Sequence, residues 1–226
     1  MTSNRDGRPF DVVVFDLGGV LVRIARDWTE AHAFAGFEPH PITTDPVFDA
    51  ERHRLSVAHQ AGTLDSESYY RLKADLSGGV YTTEDVRRII EGWSREEYEG
   101  VGSVIDALDA AGVTTAALSN TNPAHWARLD GTEEYPTVAR LRYRHASHLL
   151  GSLKPEAAIY RTFEAATGFE AARILFFDDS LPNVEAARTL GWAAEHVDHR
   201  GDTAAQLLAH LTAHHVISDI TGAAKR

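Results

Sequence analysis

The chain has no cysteine among its 226 residues, which excludes disulfides, a thiolate nucleophile and any cysteine-based zinc site. Long apolar runs are missing as well, and the polar opening Met1 to Pro9 leads into no signal core. Neither a membrane span nor a secretory leader is expected, and the chain reads as cytoplasmic. Positive charge is the third scarcity. The 22 Lys and Arg are outnumbered by 33 Asp and Glu, for a formal net charge of −11. No basic block breaks that balance, so a nucleic-acid face or an anionic membrane patch is not expected, and a small-molecule partner is. Among the charged residues lysine is the rarest, with only Lys73, Lys154 and Lys225. A lone Lys154 in an arginine-rich chain marks a preference for a compact ammonium, because the two cations are not interchangeable where a point charge must reach an oxyanion.

What is present points to a parallel α/β fold. A 43% hydrophobic content supplies a core for one large domain, or for a medium domain carrying an insertion. Phe10 to Phe15 is apolar apart from Asp11, the pattern of a strand covered on both faces. From about Asp27 to Tyr98 the chain turns polar, histidine-rich and helical in pattern, with a capped amphipathic helix signalled by Thr82 and Asp85 before Val86, Ile89 and Ile90. We read this stretch as an inserted helical subdomain. Beyond it the alternation is regular: a helix over Val101 to Leu108, a strand over Val113 to Leu118, a helix from Pro155 stopped by Gly168, and a strand over Arg173 to Phe177. A helix over Pro182 to Leu190, a strand over Ala193 to Val197 and a helix over Thr203 to Leu211 complete it. Such βα units imply a doubly wound parallel sheet.

Three strands end in polar residues: Asp16 after the first, Ser119 after the second, and Asp178 with Asp179 after the third, while Lys154 precedes a helix. Parallel strands bring such tips to one edge, where open α/β sheets hold their ligands. Each tip alone is most simply a turn or a helix cap. Together they pool carboxylates, a hydroxyl and an ammonium, the donor set of a hard divalent cation and a phosphate.

The wording and order of these motifs resemble the haloacid dehalogenase-like hydrolase superfamily. The nucleophile motif is Phe15-Asp16-Leu-Gly-Gly-Val-Leu21, the hydroxyl motif Leu118-Ser119-Asn120-Thr121-Asn122, the lysine motif Leu153-Lys154-Pro155-Glu156 and the acidic motif Phe176-Phe177-Asp178-Asp179-Ser180. Glu134-Tyr135-Pro136 and Ile159-Tyr160 also follow the wording of the bacterial α-D-glucose-1-phosphate phosphatase branch. The resemblance implies a Rossmann-like core over residues 1–22 and 100–226, and a helical cap over 23–99 that closes on the site and chooses the substrate. It further implies a Mg²⁺-dependent phosphatase of a small phosphorylated metabolite, a sugar phosphate among the candidates, working through an aspartyl-phosphate. Asp16 is then the nucleophile, ionised at neutral pH, and Asp16, Asp179, Asp178 and the Gly18 carbonyl hold Mg²⁺. Ser119, the Asn120 amide and Lys154 bind the phosphoryl oxygens.

Most phosphatases of this superfamily place an aspartate two residues after the nucleophile, and this chain has Gly18 there. A missing general acid typically costs ~10² to 10⁴ in rate, although the branch with the closest wording also carries glycine. His53 and His59 in the insertion are candidate substitutes. Arg23 is a candidate for substrate contact, whereas Trp28, Trp93 and Trp126 read first as core. Two other functions compete: a metal-independent 2-haloacid dehalogenase, and a non-catalytic binder of phosphorylated ligands. The residues leave oligomeric state open.

Overall fold

The computed structural model describes residues 8–218 apart from 39 and 131, so Lys225 and the outermost residues assigned above to the core lie outside the described residues. β1 (Val12–Phe15) is Val-Val-Val-Phe and fully buried. β-Branched residues suit extended backbone, and their alternation sends Val12 and Val14 to one face of the sheet and Val13 and Phe15 to the other. Each face carries its own apolar cluster, which is why the strand cannot alternate with polar residues.

After Asp16 the chain turns through Gly18 and Gly19 into β2 (Val22–Ile24) and leaves the sheet for α1 (Trp28–Ala35), α2 (Pro46–Gln60), α3 (Ser66–Leu76) and α4 (Thr83–Glu91). It returns on β3 (Ser94–Glu97), antiparallel to β2. Then follow α5 (Val101–Ala110), β4 (Thr114–Ser119), α6 (Pro123–Leu129), α7 (Pro136–Ala139), β5 (Tyr143–Ala146) and α8 (Ser147–Leu150). The chain closes with α9 (Ala157–Thr167), β6 (Ile174–Asp178), α10 (Leu181–Thr189), β7 (Ala193–His196) and α11 (Thr203–Ala213). None of the described helices is long and apolar enough to cross a membrane.

The main sheet is parallel, in the order β5-β4-β1-β6-β7. The chain builds outward from β1 on one side through β4 and β5, then crosses to the other side for β6 and β7. β1 is therefore the switch point, where helices leave in opposite directions and a crevice opens at the strand ends. Register places Phe15 level with Ala117 on β4 and Phe177 on β6, so the residues just beyond these three emerge side by side.

The four helices between β2 and β3 have a separate core built from Trp28, Leu55, Tyr69, Tyr70, Val86, Ile89 and neighbours. Their ends are capped as the side chains dictate: Asp27, Asp45 and Asp65 accept from backbone N–H groups, and Thr82 with Asp85 forms a reciprocal capping box. The insertion is also pinned to the helices that follow β4 and β5. His125 Nε2 meets the Ile90 carbonyl at 2.6 Å, Arg128 donates to the Glu91 carbonyl, and Ser147 Oγ donates to the Gln60 carbonyl at 2.7 Å. Gly62, at φ +74°, lies so close to α8 that a Cβ there would stand 2.4 Å from the His148 carbonyl oxygen.

Two details differ from expectation. β5, a strand not expected from the sequence, lies within the run Arg140 to Ala146, where Arg140 pairs with Asp106 and Asp109 at 2.8 and 2.7 Å and Arg144 with Asp130 at 2.5 Å. An edge strand of four residues has no apolar run to announce it. The helix expected from Pro155 starts at Ala157, and Lys154-Pro155, joined by a cis peptide bond, lies in the turn ahead of it.

Candidate active site

Asp16 follows β1 directly, with its N–H donating to the Phe177 carbonyl at 2.8 Å, which locks the carboxylate beside the end of β6. Asp178 is the last residue of that strand and Ser119 the last of β4. Lys154 reaches in from the turn before α9: its Nζ lies 3.2 Å from Asp16 Oδ1 and donates to Asp178 Oδ2 at 2.7 Å. All of these side chains are buried or nearly so. Burial alone would lower the Lys154 ammonium, but Asp16 and Asp178 outweigh it and hold it above its ordinary value.

Asp178 is saturated with donors. Besides Lys154, it accepts from the Ser180 N–H at 2.8 Å and from Asn183 Nδ2 at 3.0 and 3.1 Å. Asp179 is the more open acid. Arg26 Nη1 lies 2.6 Å from its Oδ2, and His199 Nδ1 stands 3.7 Å from the same atom. Oxygens of Asp16, Asp178 and Asp179 fall within 4.8 Å of one another.

Asp16 departs from the expectation of an ordinary ionised carboxylate. Burial is the largest influence, and with Asp178 and Asp179 it overrides the attraction of Lys154 and the hydrogen bond from Ser119, so the protein groups alone push the carboxyl up to about 7. Three crowded carboxylates with a single ammonium among them form an oxygen-only donor set short of positive charge. That chemistry fits a hard divalent cation such as Mg²⁺.

The two glycines have different reasons to be there. Gly19, at φ +82°, would place a Cβ 2.3 Å from Asp179 Oδ2 and 2.7 Å from Arg26 Nη2, so no side chain fits. Gly18 has no such backbone demand, and a Cβ would meet the Ile24 side chain, 2.8 Å from Cδ1 and 3.3 Å from Cγ2.

Asn120 is less free than expected. Its carboxamide clamps the Lys154 backbone, donating to the carbonyl at 2.8 Å and accepting from the N–H at 2.9 Å. Arg23 points elsewhere, pairing with Glu96 at 3.2 Å. Arg26, Asn183, His199 and Gly19 join the site without having been anticipated. Only Asn183, within the first turn after the acidic motif, and Gly19, the second of a glycine pair, left a readable signal.

A cavity of about 250 Å³ opens between this edge and the insertion. Leu17, Gly18, Ser119 and Asn120 line its sheet end, and Trp28, Arg52, His53, Tyr69 and Lys73 its insertion end. His53 is exposed on α2. His59 is buried against Tyr69, bonds Ser66 Oγ at 3.0 Å, and is pushed down to about 4, chiefly by burial.

The fold and this constellation are those of a hydrolase family. The family model for haloacid dehalogenase-like hydrolases matches residues 10–191, and the chain belongs to that family. It is 27% identical to a protein named Phosphatase MT3486 from Mycobacterium tuberculosis over 221 residues, 93% of this chain and 97% of the relative. Two solved structures share the fold. One is the HAD family enzyme bt-2542 from Bacteroides thetaiotaomicron in complex with magnesium and inorganic phosphate, with TM-score 0.67, 18% identity and 85% and 96% of the two chains covered. The other is the L-2-haloacid dehalogenase from Xanthobacter autotrophicus with chloropropionic acid covalently bound, with TM-score 0.61, 19% identity and 93% and 85% covered.

Proposed function

We propose that the chain hydrolyses a small phosphate monoester in two steps through Asp16. The observation that carries this reading is the buried contact of Lys154 with Asp16 and Asp178, with Asp179 beside it. Displacement at carbon has no use for three crowded carboxylates, whereas phosphoryl transfer needs both an ammonium and a place for a cation.

In the first step an Asp16 oxygen bonds to phosphorus while the bond from phosphorus to the leaving oxygen breaks, and that oxygen takes up a proton. In the second, water bonds to phosphorus and loses a proton, the bond to Asp16 breaks, and inorganic phosphate leaves with the carboxylate restored. The Ser119 hydroxyl, the Lys154 ammonium and the Asn120 backbone N–H hold the equatorial oxygens, each group of this kind being worth on the order of 3 kcal/mol in a dry site. Since the Asn120 carboxamide is engaged by Lys154, it positions the lysine.

Asp16, Asp179 and the Gly18 carbonyl would hold Mg²⁺, whose charge lets an anionic carboxylate meet an anionic phosphate. Asp178, already accepting from three donors, orients Lys154. Arg26 covers Asp179 and must yield part of that contact to a ligand. With glycine at position 18 the proton comes from elsewhere. His59 is neutral near pH 7 and tied to Ser66, so of the two histidines His53 on the cavity wall is the better placed. The insertion, residues 23–99, serves as the cap that selects the substrate, with sugar phosphates among the candidates.

A screen of sugar, nucleotide and acyl phosphates tests this reading. Phosphate release should appear with Mg²⁺, vanish with EDTA and return when the cation is restored. Halide release from 2-haloacids without phosphate release would transfer the chain to the dehalogenases, and a stable phospho-Asp16 without release would mark a binder.

A further inference from the structure

The insertion end of the cavity holds a feature that phosphoryl transfer does not use. Lys73 on α3 is almost completely buried. Its Nζ lies 4.6 Å from the Trp28 ring centroid and 4.3 Å from that of Tyr69, and donates to the Tyr69 hydroxyl. No carboxylate among the described residues lies within ion-pair distance of it. Arg52 on α2 flanks the same Trp28 ring at 5.5 Å. Its outer Nη2 pairs with Asp49, while its Nε is buried without a partner. Both side chains line the cavity whose other end is Ser119 and Asn120.

Burying an ammonium without a counter-ion costs more than cation–π contact with two rings returns. The cost is visible in the ammonium itself: burial, then the Arg52 charge, push Lys73 well below its ordinary value. Nearby cations of the insertion have acids at hand, Arg87 with Glu67 and Glu84, and Arg54 with Glu51, whereas Arg88 stays at the surface against the Phe37 ring and the Ala35 carbonyl. A core lysine with a purely structural role would gain from such a partner or from replacement by an apolar residue. A lysine awaiting an anion would be left as Lys73 is.

We propose that the substrate carries a second oxyanion, a carboxylate or a second phosphate, which Lys73 and Arg52 bind while the transferred phosphoryl group sits at Ser119 and Lys154. This inference rests on the phosphatase reading and narrows it: a phosphate ester with a neutral far end leaves the two cations unanswered.

The test compares ω-phosphooxy carboxylic acids and α,ω-bisphosphates, over a series of chain lengths, with the matching alkyl monophosphates. Wild-type p-nitrophenyl phosphate hydrolysis serves as the turnover control. At the fitting length the doubly anionic ester should exceed its neutral-ended match in kcat/KM by roughly tenfold or more. The length and the better headgroup distinguish carboxylate from phosphate. In Lys73→Met and in Arg52→Met that preference should collapse toward unity through KM, and Lys73→Met should raise Tm, because a buried amine without a counter-ion leaves the interior. Thermal shifts by the same two probe classes in wild type and variants read binding without turnover. Equal treatment of both classes by active wild type overturns the inference and spares the phosphatase reading. Control turnover that is absent, with a Lys73-dependent shift present, does the reverse. A Lys73→Met protein that loses Tm and keeps the preference marks the lysine as structural, and Arg52→Met then decides whether any second-anion site exists.

Discussion

The sheet edge and the inserted helices each bury one lysine, and the two are electrostatic opposites. Lys154 has two acids within 3.2 Å and is held as a cation, whereas Lys73 lies between two aromatic rings beside an arginine and is pushed toward its neutral form. Burial is the first influence on both. The neighbours decide the sign. On the proposed reading, a buried cation whose counter-ions the chain supplies belongs to a finished apparatus for any phosphoryl group, and a buried amine without an acid awaits one class of partner. The contrast would then separate general chemistry at the sheet from selectivity at the insertion.

Asp16→Asn strikes the sheet side hardest. Turnover of any phosphate ester should fall on the order of 10⁴-fold or more, with circular dichroism unchanged because Asp178 still answers Lys154. Lys154→Met should next destabilise the protein by roughly 3–5 kcal/mol in chemical denaturation, since Asp16 and Asp178 lose their shared cation. Lys73→Met should move stability the other way, and equal losses from the two variants would erase the contrast. Gly19→Ala forces a left-handed backbone and a collision with Asp179 and Arg26, so about 2 kcal/mol or more should be lost. Gly18→Ala, which meets one apolar side chain, Ile24, and needs no left-handed backbone, should cost visibly less in the same measurement.

Histidines of the insertion and its junction are read out by pH. His59 and His125 are pushed from 6.5 to about 4, first by burial. Folded-state values below the unfolded ones mean that the unfolded chain binds the protons first. Stability is therefore full above about 6.5 and declines as pH falls toward 4. Thermal melts across that window should show the decline, and His125→Asn should shrink it. A flat profile would place these rings in water.

Much of the sheet was legible because β1 and β6 are buried on both faces and apolar up to their ends, and β4 is apolar over Ala116 to Leu118 before Ser119. The capping box at Thr82 and the glycine stops were equally plain, being local chemistry. The ribbon of β2 and β3 was not legible, since three and four residues of mixed polarity carry no periodicity. β5 was hidden for the same reason. Within the site, Asp16, Ser119, Lys154, Asp178 and Asp179 could be named because each stands next to a readable strand or turn. Arg26 and His199 could not, because they approach Asp179 from loops far away in the chain.

The sequence by itself determined the strand ends, the residue types gathered there and the family they spell, because backbone propensity and burial act over a few neighbouring residues. Only the tertiary structure decided that Asp178 would be saturated and Asp179 left open, that Asn120 would clamp a lysine, and that Lys73 would be buried with no acid beside it among the described residues. Those outcomes depend on which distant side chains share a volume of low dielectric, and charge interactions there depend on distances that no local pattern encodes.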